Sequence, residues 1–210
     1  MKLCMFSPRE MELERGWPGR IDGDRVIQLA AQTLQSFFTG GGNAREHAEY
    51  ALDDVLLRTP VLHPPSVRVF GDDGDFAFEN PALIYGPEDE IPVPPGAGYI
   101  ESDLRIAAVI GLDGAVGGFT LVNDWVAPEL TGAKAHDFGI SLGPVLVTPD
   151  DFPSGGDWTP LVEHAARGTR LYPGDIIAAG SMRDGPYVAG DVVELEFDGI
   201  GVLRNRVVRA

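Results

Sequence analysis

The stretch GGFTLVNDWVAPELTGAKAHDFGISLGPVLV, residues 117–147, decides how this chain reads. Its first part, rich in β-branched and aromatic residues, predicts a strand that ends in the carboxylate of Asp124. A loop broken by Pro128 and Gly132 then carries Lys134 and Asp137, and a second strand is expected after Gly143-Pro144. Upstream, Glu101-Ser102-Asp103-Leu104-Arg105-Ile106 runs into the apolar AAVIG of residues 107–111. Acids two apart on a strand project from one face. Joined by a strand-end acid, they form the donor set of a divalent-metal site, because a hard cation takes oxygen ligands.

Composition bounds what surrounds that stretch. With 210 residues the chain suits one large domain, or one with a small appended part, and an apolar share of 44% is enough for a real core. Its 27 glycines and 17 prolines are scattered without a repeat, which points to many short strands and turns. A net charge of −16 argues against nucleic acid or an anionic membrane as partner. Small anions stay open, because a local cation outweighs the global field. The lone Cys4 has no internal partner, which fits a reducing compartment. The N-terminal MKLCMFSPREMELERGW turns charged too early for a signal peptide, and no run approaches the roughly 20 apolar residues of a membrane span. A soluble, cytoplasmic protein is the expectation.

Along the chain, residues 1–30 read as a small β-meander turning at Asp22-Gly23-Asp24. RVIQLAAQTLQSFF, residues 25–38, starts as a strand and becomes helical, with the glycines at 40–42 stopping it. Asn43 is placed as the N-cap of a helix over 44–57 with Ala48, Ala51, Leu52, Val55 and Leu56 as its apolar stripe. Pro60, Pro64 and Pro65 mark a linker. They divide a small N-terminal α/β part (1–62) from a β-rich body (63–210), so the fold class is mixed but β-rich, α+β. In the body, VRVFG (67–71) is a strand and IPVP (91–94) reads as an edge. Residues 103–111 and 117–124 pair across Leu112-Asp113-Gly114-Ala115. A short helix is expected over 158–168, followed by four strands to the C-terminus.

In this order the segments resemble the fumarylacetoacetate hydrolase family. GRIDGDRV (19–26), LLRTPVLHPPSVRVFG (56–71), residues 103–111 with NDWVAPEL (123–130) and AKAHDFGISLGPVLVT (133–148), LYPGDIIAAGS (171–181), and VAGDVVELEFDGIGVLRNRVV (188–208) carry the likeness. The resemblance implies a β-roll core, a homodimer, and Mg²⁺ (or Ca²⁺ or Mn²⁺) held by a Glu-x-Glu pair and a later Asp. It also implies a small-molecule substrate, an oxo-acid or β-dicarbonyl compound. Hydrolases, lyases such as decarboxylases, and isomerases of such compounds pass through an enolate that a Lewis acid stabilises.

Carried over residue by residue, the resemblance gives Asp124 as the strand-end metal ligand. Alignment on Val109-Ile110-Gly111 puts Asp103 and Arg105 at the two Glu positions, whereas a slide by two gives Glu101 and Asp103. If Arg105 faces the site, its guanidinium replaces the ion and grips a carboxylate. Lys134 matches a lysine that neutralises enolate or carboxylate charge, and Asp137 supports its loop. Gly180 and Ser181 stand where the family binds a substrate carboxylate. His136 reads as a surface histidine. The His-Glu pair with which acylpyruvate hydrolases activate water has no counterpart, since Asp72-Asp73-Gly74-Asp75-Phe76 stands in its place, and Pro128 and Thr131 replace the family's Arg and Gln. The leading expectation is therefore decarboxylation, tautomerisation or a related C–C bond step. The alternative is a member without metal, either a non-catalytic binding or scaffold dimer or an enzyme that uses Arg105 and Lys134.

Overall fold

The computed structural model describes residues 1–152 and 156–210. The N-terminal region supplies β1 (Lys2–Pro8), β2 (Trp17–Asp22), β3 (Arg25–Leu29), α1 (Leu34–Thr39), β4 (Glu46–Ala51) and β5 (Val55–Arg58). Four short strands follow: β6 (Val67–Phe70), β7 (Phe76–Glu79), β8 (Ile84–Tyr85) and β9 (Glu90–Val93). The long strands β10 (Ile100–Ile110), β11 (Val116–Asp124) and β12 (Ile140–Val147) form the centre. After α2 (Thr159–Ala166), β13 (Ile176–Tyr187), β14 (Val192–Phe197) and β15 (Gly201–Arg209) close the chain.

These strands make a mostly β fold of one 12-stranded sheet, ordered β4-β3-β2-β1-β12-β11-β10-β13-β6-β7, with β5 beside β1 and β8 beside β12. A three-stranded sheet, β14-β15-β9, lies against it, and its edge is the proline-bearing β9. The large sheet is apolar on both faces, and β1 shows why. Leu3 and Met5 enter one core, while Cys4 and Phe6 enter the other. Alternation by two sends successive side chains to opposite faces, so a strand reading LCMF must be covered twice. Leu34, Phe37 and Phe38 of α1 cover the first face; Leu195, Leu203 and Phe152 pack on the second. α1 starts at a capping box between Thr33 and Ser36, and Gly41 and Gly42 end the turn after it at positive φ.

Three expectations are corrected. The helix over 44–57 is instead β4, a 3-10 turn and β5. Its supposed apolar stripe leaves Ala48 and Ala51 exposed. Pairing with β3 wins because it lays Tyr50 against Phe6, with ring centroids 5.3 Å apart. The strand expected after Gly143-Pro144 begins earlier, at Ile140, and runs through that dipeptide. The four closing strands are three, because β13 passes Gly180-Ser181 as a bulge rather than a turn. Among the described residues no helix is long and apolar enough to cross a membrane.

The sheet positions the site through one face of β10. Ala107 and Val109 lie in the first core, and the same alternation carries Asp103 and Arg105 along that face toward the start of the strand. Across the β10–β11 ladder Arg105 pairs with Val122, a core residue, and Leu104 pairs with Asn123. Asp124 thus falls one step beyond, at the level of Asp103.

Candidate active site

Four walls meet at this end of the sheet around a cavity of about 850 Å³. β7 contributes Glu79 and β10 contributes Arg105. The end of β11 gives Asp124, and the loop after it gives His136 and Asp137. Arg183 of β13 stands at the side. Asp124 is held in place by its neighbour. Trp125 is fully buried between the sheets, and its indole N–H donates to Ser141 Oγ at 2.8 Å, so the strand end has one position.

Donor atoms of Glu79, Asp124 and His136 all lie within 4.8 Å of one another. His136 Nδ1 sits 3.3 Å from Asp124 Oδ1, and that hydrogen bond holds the imidazolium above the usual histidine pKa even though burial opposes it. Burial in the cavity, with the charge of Asp124 beside it, pushes Glu79 up to about 7. A carboxyl group pushed up to about 7 and an imidazole held above its usual range by the carboxylate beside it form a proton-transfer pair. A tether spaces them. Asn80 follows Glu79, and its amide donates at 3.1 Å to both the side chain and the carbonyl of Asp137, which follows His136.

The next wall is ionic. Arg105 Nη2 donates to Asp103 Oδ2 at 2.7 Å, and Nη1 donates to the carbonyls of Phe70 (2.9 Å) and Gly180 (2.8 Å). Ser181 Oγ donates to Asp103 Oδ1 at 2.7 Å, Arg183 Nε lies 3.5 Å from Oδ2, and the Asp103 N–H donates to Asn123 Oδ1. Asp103 is fully buried and Arg105 is 8% exposed.

Each residue named from the sequence now has a place. Asp124 and Arg105 line the cavity. Asp103 lies behind Arg105 with both oxygens bonded to donors, so it is spent as a metal ligand. Glu101 pairs through its backbone with Val126, and its carboxylate lies outside the Glu79–Asp124–His136 group. The trio Glu101, Asp103 and Asp124 is therefore not gathered around one point. Among the described residues, two carboxylates and an imidazole, Glu79, Asp124 and His136, are the donors close enough to share an ion, a set closer to Mn²⁺ or Zn²⁺ than to Mg²⁺ or Ca²⁺, but Arg105 brings a fixed positive charge to the same cavity. Lys134 sits on the loop, 77% exposed, bonded to Asp137, whose carboxyl it holds below the usual range. Gly180 and Ser181 are exposed, but the Gly180 carbonyl accepts from Arg105 and the Ser181 hydroxyl donates to Asp103. Glu79 was missed. His136, expected at the surface, is half-buried. The signal for Glu79 was an acid closing the aromatic alternation Phe76-Ala77-Phe78 on a strand of the sheet.

Comparison with known proteins agrees with this fold. The family model described as "Fumarylacetoacetate (FAA) hydrolase C-terminal" matches residues 156–208. An uncharacterized protein of Methanocaldococcus jannaschii is 32% identical over 164 residues, 60% of this chain and 69% of the relative. The mitochondrial oxaloacetate tautomerase Fahd2a of Rattus norvegicus is 28% identical, over 99% of this chain and 92% of its own. A crystal structure of maleylpyruvate hydrolase from Sphingobium sp. SYK-6, in complex with manganese(II) and pyruvate, superposes over all of both chains with a TM-score of 0.80 at 22% identity.

Proposed function

The chain belongs to the fumarylacetoacetate hydrolase family, and on that premise we propose that it is an enzyme that moves a proton between carbon and oxygen of a small oxo-acid, interconverting its keto and enol forms. One observation carries the reading: Glu79, poised near neutrality, shares a cavity with the His136–Asp124 pair and with Arg105. In its ionised form Glu79 takes the proton from the carbon next to the oxo group. The electron pair moves to the carbonyl oxygen, and His136, protonated and held by Asp124, gives that oxygen a proton. One C–H bond breaks and one O–H bond forms, and passage of the proton from Glu79 to His136, directly or through water, restores both groups for the next turnover. Arg105 holds the substrate carboxylate, with Arg183 at the rim.

Gly180 and Ser181 act in this reading through Arg105 and Asp103, and Lys134 acts through Asp137. The relative named for oxaloacetate tautomerisation supports the reaction class. Cleavage and decarboxylation of oxo-acids pass through the same enolate, so the site suits those steps too. Stopped-flow decay of the enol band of oxaloacetate tests the proposal. The protein should accelerate ketonisation well beyond buffer, and Glu79→Gln should lower kcat by about 10² to 10⁴. Equal rates with and without protein would sink it.

A further inference from the structure

We infer that Arg105 is the resident cation of this site, so that the protein grips the carboxylate of its ligand with a guanidinium and needs no divalent ion to do so. The inference takes the class of ligand, an anionic oxo-acid, from the reading above; the choice of cation rests on geometry alone.

Acids two apart on β10, facing a strand-end acid on β11, are where a metal would be sought. A guanidinium interrupts that trio. It is not a surface arginine folded inward, because two backbone carbonyls and Asp103 fix it from behind, and Ser181 and Arg183 fix Asp103 in turn. Of the five N–H groups of an arginine, those three contacts use three and leave two. Nε is one of the two, buried without a partner, and the residue lines the cavity. Buried donors left unpaired are costly, and the cost is relieved when an anion arrives. A carboxylate is the anion whose two oxygens match adjacent N–H groups of one guanidinium. Glu79, Asp124 and His136 offer a second place for a cation, but an ion there shares the cavity with a fixed positive charge close enough to act on Glu79.

Isothermal titration of the full chain, stripped with EDTA, decides between them, with oxalate as the probe for an enolised oxo-acid. We expect oxalate to bind in EDTA and its Kd to stay within about twofold when MnCl₂ replaces the chelator. Arg105→Lys keeps the charge but loses the fork, and should weaken oxalate by about tenfold or more. Arg105→Glu joins a new carboxylate to Asp103 and Asp124 and should gain Mn²⁺ binding that the parent protein lacks; if melting shows this variant unfolded, Arg105→Lys still decides. Oxalate binding that requires Mn²⁺ overturns the inference. So does Mn²⁺ binding by the parent protein that Glu79→Gln abolishes, or an absence of oxalate binding under both conditions. Oxalate bound in EDTA without any catalysis of enol decay leaves Arg105 in its role and removes the tautomerase reading instead.

Discussion

Glu79 couples the site to pH, and the sign follows from its surroundings. Burial and Asp124 favour its neutral form in the folded protein, against His136 and Arg105, which favour the charged one; Asp137 adds to the raising side. His136 is shifted in the same direction, chiefly by its bond to Asp124, with Arg183 opposing. Glu79 holds a proton in the folded state that the unfolded chain has already released, so stability falls as pH rises from the ordinary glutamate range to about 7, and His136 adds to the fall only above the ordinary histidine range. We expect the melting temperature of the parent protein to drop across that window, and to drop less in Glu79→Gln, by calorimetry at constant ionic strength. A parallel decline in both proteins would remove Glu79 as the cause. Not all of these residues were equally legible. Asp124 was readable as a residue of this end of the sheet because an apolar strand ends in it. Glu79 and His136 were not, because their meeting depends on how β7 reaches the loop after β11, and no local periodicity reports that. Arg105 was legible as an anomaly, an odd charge in an otherwise acid-bearing strand.

The bulge of β13 is the element on which the ionic wall depends. The register between β10 and β13 shifts between Leu104 and Ile106, opposite Gly180-Ser181, and this turns the Gly180 carbonyl onto Arg105 and the Ser181 hydroxyl onto Asp103. Gly180 has φ +76° and open space where a Cβ would go, so only backbone strain resists substitution. Gly180→Ala should cost about 1–2 kcal/mol, the penalty of a left-handed residue with a side chain. Chemical denaturation reads that loss, and oxalate affinity should fall with it; unchanged stability and affinity would remove the bulge from the argument. The expectation of four closing strands fails here because glycine marks turns and bulges alike. The same limit explains the misplaced helix at 44–57. Apolar residues there fit a helical stripe, but the hydrogen-bonding partner β3 lies outside any local window. Hairpin β10–β11 was legible, since its apolar runs flank a strong turn signal.

At the scale of the whole molecule, β1 stands in the middle of the large sheet, and its side chains serve both cores. Phe6 is fully buried, with the Trp17 ring at 6.1 Å and the Tyr50 ring at 5.3 Å. Phe6→Ala should cost about 3–5 kcal/mol. Each kcal/mol lowers the melting temperature of a chain this long by roughly 2–4 °C, which a thermal scan reads directly. Beside it Cys4 is sealed in, its thiol pushed up to about 12 by burial, so it should resist alkylation until the sheet opens. The two-faced burial was visible in the LCMF run, whereas the order of the strands was not, because β1 finds β12 across more than a hundred residues. Distance along the chain also gives the Asn80–Asp137 bond its meaning. It joins the sheet's edge strand to a loop 57 residues away, and each partner is covalently next to one half of the proton-transfer pair. The gap a proton must cross is thus set by two residues with no place in the chemistry. Turnover can then drift while the catalytic groups stay fixed: Asn80→Ala should slow kcat with KM nearly unchanged, making this amide an adjusting screw for speed.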